Sequence, residues 1–189
     1  MKFVLLFILS FSSVLVHAEV NYRVPSREYI NTKGSWNIFY EASMERSNPQ
    51  LAKKSLLKLN NILKTIEQKL PYNSLLKLKT LKIFLMWGEN SPHGGKKSGM
   101  RFVRRGETNN RLHYDNQWEY SVVIYSAENL MYLTDMWAKK ALTHEFSHAW
   151  HIMHWPDKYA QILKPWKNAK SNNLYTNVKD YKNRIKPDA

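Results

Sequence analysis

The sequence predicts an α+β domain: a small mixed sheet, one backing helix, and one long helix that carries a metal-binding motif. Three observations lead there. Apolar residues recur at helical spacing through 49–70 and again through 136–155. Short runs rich in Ile, Val, Phe, Trp and Tyr stand between and before them. Within the second helix, His144-Glu145-Phe146-Ser147-His148 sets two imidazoles four residues apart.

The N-terminus is read first as a leader. Lys2 precedes the apolar run Phe3-Val4-Leu5-Leu6-Phe7-Ile8-Leu9, and Val16-His17-Ala18 ends in a small residue. This order describes a secretory signal peptide over residues 1–18, cut after Ala18 to leave Glu19 first. The apolar part falls short of the ~20 residues that span a bilayer, which disfavours an uncleaved anchor. A secreted or periplasmic location follows, with no transmembrane anchor. The remainder, 19–189, is the size of one domain. It contains no Cys, so disulfides cannot stabilise it and packing must.

Residues 21–32 are polar with one Pro and read as an N-terminal arm. Residues 36–40, Trp-Asn-Ile-Phe-Tyr, follow Gly34-Ser35 as a short strand. Asn48-Pro49 then opens a helix, with Asn as N-cap and Pro in the first turn. Ala52, Leu56, Leu59, Leu63, Ile66 and Leu70 give it one apolar stripe, and Pro71 ends it. Residues 81–86 read as a buried strand. Gly94, Gly95, Gly99 and Pro92 make the following stretch a loop, in which His93 is a surface residue. Gly94-Gly95-Lys96 lacks the spacing and the Ser/Thr of a phosphate loop. Residues 100–103 are a further strand candidate. Residues 118–125 alternate as another, with Trp118, Tyr120, Val122 and Ile124 on one face. Thr134-Asp135 caps a helix over 136–155 that Pro156 stops, and 157–168 suggests one more helix before a polar tail.

On the 136–155 helix, Leu142, Phe146, Ala149, Trp150 and Met153 form the apolar stripe. His144 lies about 200° round from Leu142 at ~100° per residue, so the histidines look away from it. One face therefore packs on the core while the other can line a cleft. His144 and His148 are the candidate metal ligands for Zn²⁺, and Glu145 is the candidate catalytic base beside them. The bland alternative is a pair of surface histidines. His151 sits a turn further on and suits a supporting role, and His154 points elsewhere. Asp157 and Asp180 are weak candidates for a third ligand.

These residues resemble the HExxH zinc metallopeptidases, the zincins. More narrowly, His144-Glu145-Phe146-Ser147-His148-Ala149-Trp150-His151 is similar to a secreted zincin-like group whose motif reads H-E-L-A-H-A-Y-H. Lys170-Ser171-Asn172-Asn173-Leu174-Tyr175 with Val178 looks like that group's segment after the active helix. The resemblance implies a zincin-like fold, bound zinc and hydrolysis of a peptide or protein substrate. It implies that 119–125 forms a sheet edge along which an extended substrate pairs. It casts Glu145 as the base that takes a proton from water and passes it to the leaving amine, with Tyr159 or Tyr175 as oxyanion candidates. It also implies a third ligand, a Glu on a further helix beyond Ala189, so the domain is expected to be incomplete at its C-terminus.

The net charge of +14 is spread along the chain. It reads first as a solvated basic surface, and no recognisable nucleic-acid motif accompanies it. The competing functional reading is a non-catalytic secreted basic protein that binds anionic envelope polymers.

Overall fold

Five short strands, each only three to five residues long, build one mixed sheet in the order β1-β2-β3-β5-β4. They are β1 (Tyr29–Asn31), β2 (Asn37–Glu41), β3 (Lys82–Leu85), β4 (Met100–Val103) and β5 (Ser121–Ile124). The computed structural model describes residues 28–88, 99–109, 114–155 and 160–174. The leader, the Gly94–Gly95 loop with His93, and Asp157, Tyr159, Tyr175 and Asp180 lie outside the described residues.

The three inner strands run parallel, β2 on β3 and β3 on β5. The two outer strands run antiparallel, β1 on β2 and β4 on β5. Parallel pairs require long crossovers, and helices supply the one from β2 to β3, whereas the connection from β3 to β5 carries β4. Between β2 and β3 the chain forms α1 (Ala42–Ser47), α2 (Pro49–Glu67) and α3 (Tyr72–Leu78). After β5 come α4 (Ala127–Tyr132), α5 (Asp135–His154) and α6 (Ala160–Ser171). The fold is thus α+β with a small mixed sheet, as the composition predicts. Among the described residues, no helix is long and apolar enough to cross a membrane.

The α2 boundaries follow the capping chemistry. The Asn48 side chain accepts the Leu51 N–H at 3.1 Å, Pro49 occupies the first turn, and the helix stops before Pro71. Its buried stripe is Ala52, Ser55, Leu59, Ile62, Leu63 and Ile66. Leu56 and Leu70, expected in that stripe, are only half-buried at its border. The stripe packs on one face of the sheet with Ile38, Ile83, Leu85, Phe102, Val122 and Ile124, and with Leu142, Phe146 and Ala149 of α5. The opposite face gathers Phe84, Met86, Val103, Tyr114, Trp118, Val123 and Tyr125, with Tyr29 and Phe39 against them.

Several expectations are corrected. The arm at 21–32 contains β1. The strand expected at 81–86 is confined to Lys82–Leu85. The alternating strand at 118–125 begins only at Ser121, because Trp118 closes a 3₁₀ turn (Asn116–Trp118) and Tyr120 takes a left-handed φ of 53°. The expected one-face alternation fails for the same reason, and all four β5 residues are buried. That is the signature of an inner strand covered on both faces. On α5, Met153 is exposed and does not extend the apolar stripe, which gains Ala138 instead.

Candidate metal centre

α5 is held at both ends and along one side. Thr134 Oγ1 accepts the Trp137 N–H at 3.3 Å, and Asp135 places a negative charge in the first turn. His151 and His154 fall in the last turn, where the helix carbonyls favour positive charge. Phe146, inside the motif, stacks flat on Trp36 at 5.3 Å between ring centres and 2° between planes. This contact fixes the rotation of α5 about its axis and so decides where the neighbouring motif residues point.

The two candidate ligands come together. Nε2 of His148 lies 2.9 Å from Nε2 of His144, and the rings stand at 90° with centres 4.5 Å apart. Both nitrogens thus converge on one point outside the helix, on its more exposed side. A tetrahedral zinc with ~2.0–2.1 Å bonds would hold two such nitrogens about 3.3 Å apart. The pair needs to open by only about half an ångström, within the reach of a small side-chain rotation, so these two nitrogens can share one ion as two of its ligands. Burial holds His148 below the usual histidine range. Glu145 opposes that shift, whereas His144, Arg104 and His151 add to it. The neutral imidazole so favoured is the form with a lone pair to give.

Glu145 is half-buried and its surroundings differ from those of the histidines. It stands ~100° round the helix from His144, on the flank turned to β4. Its Oε2 accepts the backbone N–H of Phe102 at 2.7 Å. The Phe102 side chain faces the helix-side core, so side chain and backbone both bind β4 to α5. Sequence reasoning missed this partner. It lies 43 positions away in the chain, and a backbone donor leaves no residue-type signal.

The edge strand is also corrected. Residues 119–125 were expected to form it, but β5 lies between β3 and β4, and β4 is the outer strand beside α5. In an antiparallel pair, alternate residues point their N–H and C=O away from the partner. The Phe102 N–H goes to Glu145 and not to β5, so by that alternation Met100 also faces outward.

His151 is exposed, with its ring 5.4 Å from Trp155, and His154 lies 4.8 Å from Trp150. Burial, then Lys77, lowers the pKa of His154. Neither joins the pair: among the described residues, no group of three or more His, Asp or Glu could hold a metal. On the far flank of α5 a cleft of about 290 Å³ opens between α2, α3 and α5, lined by Ile66, Leu70, Leu78, Phe146, Trp150 and Trp155.

Comparison with known proteins finds no match to this chain among family models, curated proteins or solved structures.

Proposed function

We propose that this chain is an exported, zincin-like zinc metallopeptidase in which His144 and His148 hold the metal and Glu145 is the general base. The observation that carries the reading is the convergence of the two Nε2 atoms at 2.9 Å on the helix that also bears Glu145. Zinc bound there would supply Lewis acidity to a water and to a scissile carbonyl. Glu145 takes the proton of the attacking water and delivers it to the departing amine. The Phe102 N–H orients the carboxylate for both transfers and leaves its second oxygen for the proton. The outward groups of β4 pair with an extended peptide and align its backbone beside α5. The third ligand comes from outside the described residues.

Metal analysis and peptide hydrolysis test this on the full chain. The expected result is one zinc per chain, lost in His148→Ala and in His144→Ala. Glu145→Gln is expected to keep the zinc while hydrolysis falls by about 10²–10⁴-fold. Unchanged hydrolysis in Glu145→Gln would remove Glu145 from the chemistry.

A second reading rests on the absence of a three-ligand group among the described residues and on the net charge of +14. It makes the chain a non-catalytic binder of anionic envelope polymers. A chain without zinc that shows salt-sensitive binding to such polymers would establish it.

A further inference from the structure

We infer that the junction of α4 and α5 is a docking surface for anionic lipid membranes. Within seven consecutive residues, Met131, Tyr132, Met136 and Trp137 are all exposed, the last three by 75 %, 52 % and 55 %. Single exposed apolar side chains are ordinary on a protein surface, but four so close form a patch. Its composition selects the partner. Trp and Tyr, with an apolar body and a polar atom, favour the headgroup level of a bilayer, and Met inserts beside them without strain.

The charges around the patch match anionic headgroups. Lys139 and Lys140 are exposed and flank Met136 on the helical wheel. The ammonium of Lys140 lies 4.9 Å from the centre of the Trp137 ring. Lys58 of α2 offsets the one nearby acid instead of facing the lipid: its side chain is 15 % exposed, and its Nζ is held by the carbonyls of Met131 and Leu133 and by the Asp135 carboxylate at 3.5 Å. Asp135 is the only acid between Met131 and His144. Lysine stems lie along apolar surface while their heads meet phosphate, which suits a lipid interface better than a dry protein contact. Trp137 precedes His144 by seven residues on the same face of α5, about 10 Å along the helix axis. A chain seated on this patch therefore holds its histidine pair close to the lipid surface. The docking itself is independent of metal and of hydrolysis.

Vesicle flotation tests the surface, using the full chain and, in parallel, the chain starting at Glu19, so that the apolar residues 3–9 do not carry the result. The chain is expected to float with vesicles of phosphatidylglycerol in phosphatidylcholine, less so at high salt, and equally with or without a chelator. Phosphatidylcholine alone should bind far less. The double variant Tyr132→Ala/Trp137→Ala should weaken partition by about tenfold or more, since it removes both aromatic anchors. Lys139→Gln/Lys140→Gln should weaken it on anionic vesicles only. All four side chains are exposed, and a circular-dichroism melt of each variant checks that the fold is retained. Partition unchanged in both double variants would overturn the proposal, as would binding to a soluble anionic polysaccharide but not to anionic vesicles.

Discussion

On the helix-covered face of the sheet, Ile38, Ile83, Leu85, Val122 and Ile124 meet the leucines and isoleucines of α2 together with Leu142. On the opposite face the chain sets Tyr29, Phe39, Phe84, Tyr114, Trp118 and Tyr125. The first face is held mainly by aliphatic burial, which has no direction, with the Trp36–Phe146 stack as its aromatic exception. The second carries hydrogen bonds among its rings. The Tyr29 hydroxyl donates to Asp115 at 2.8 Å and accepts from the Trp118 indole at 3.0 Å, and the Tyr114 and Tyr125 hydroxyls share a bond of 2.8 Å. Burial, and then the bond to Asp115, push the Tyr29 phenol far above the ordinary tyrosine range, so it stays a neutral donor. A change on the aliphatic face leaves a void. A change on the aromatic face also leaves a polar atom without its partner, and such an orphan has its own cost.

Four measurements press on that contrast. The largest effect is expected from Trp118→Ala, which opens a cavity and removes the indole donor. A loss of about 3–5 kcal/mol is expected from urea denaturation. Leu142→Ala, on the helix face, should cost about 2–5 kcal/mol and loosen α5. Zinc retention would fall with it, and this coupling is absent from the aromatic face. Tyr29→Phe keeps the ring but strips the hydroxyl from both partners. About 1–3 kcal/mol is expected, and a loss near zero would erase the distinction between the faces.

The smallest effect concerns acid. Glu67 on α2 accepts from Lys79 at 2.8 Å and from the Trp36 indole at 2.6 Å. The bond to Lys79 holds its carboxyl below the usual range against a smaller opposing effect of burial. A depressed carboxylate contributes stability above its unfolded value, and that contribution is lost as pH falls through the folded value. Lys79→Ala should therefore flatten the stability curve below about pH 4.5, near the ordinary Glu value, by under about 1 kcal/mol.

The same contrast explains what the sequence made legible. α2 and α5 are single amphipathic helices with Asn48-Pro49 and Thr134-Asp135 at their starts, all local signals. The spacing of His144 and His148 is local too, and the helix brings their nitrogens together as that spacing requires. β5 misled because a strand buried on both faces does not alternate, and Tyr120 interrupts the run before it. β1 has three residues and gains its identity only by pairing with β2. The knot of Tyr29, Asp115 and Trp118 joins residues 86 and 89 positions apart. The partner of Glu145 depends on which strand lies outermost, and strand order is a property of the whole sheet.

The bond from Phe102 to Glu145 gives the outer strand a ruler-like role on the proposed reading. A peptide laid antiparallel along β4 would exchange two hydrogen bonds with each outward-facing residue. At Phe102 it can exchange only one, because that N–H is already engaged. The peptide residue opposite still donates to the Phe102 carbonyl, but its own carbonyl meets no ladder donor. One carbonyl along the bound chain is therefore singled out by omission, next to the carboxylate that causes the gap. If the chain cleaves peptides as proposed, the cleavage position would be counted from Phe102, and the side chains of the peptide would need only to satisfy the register.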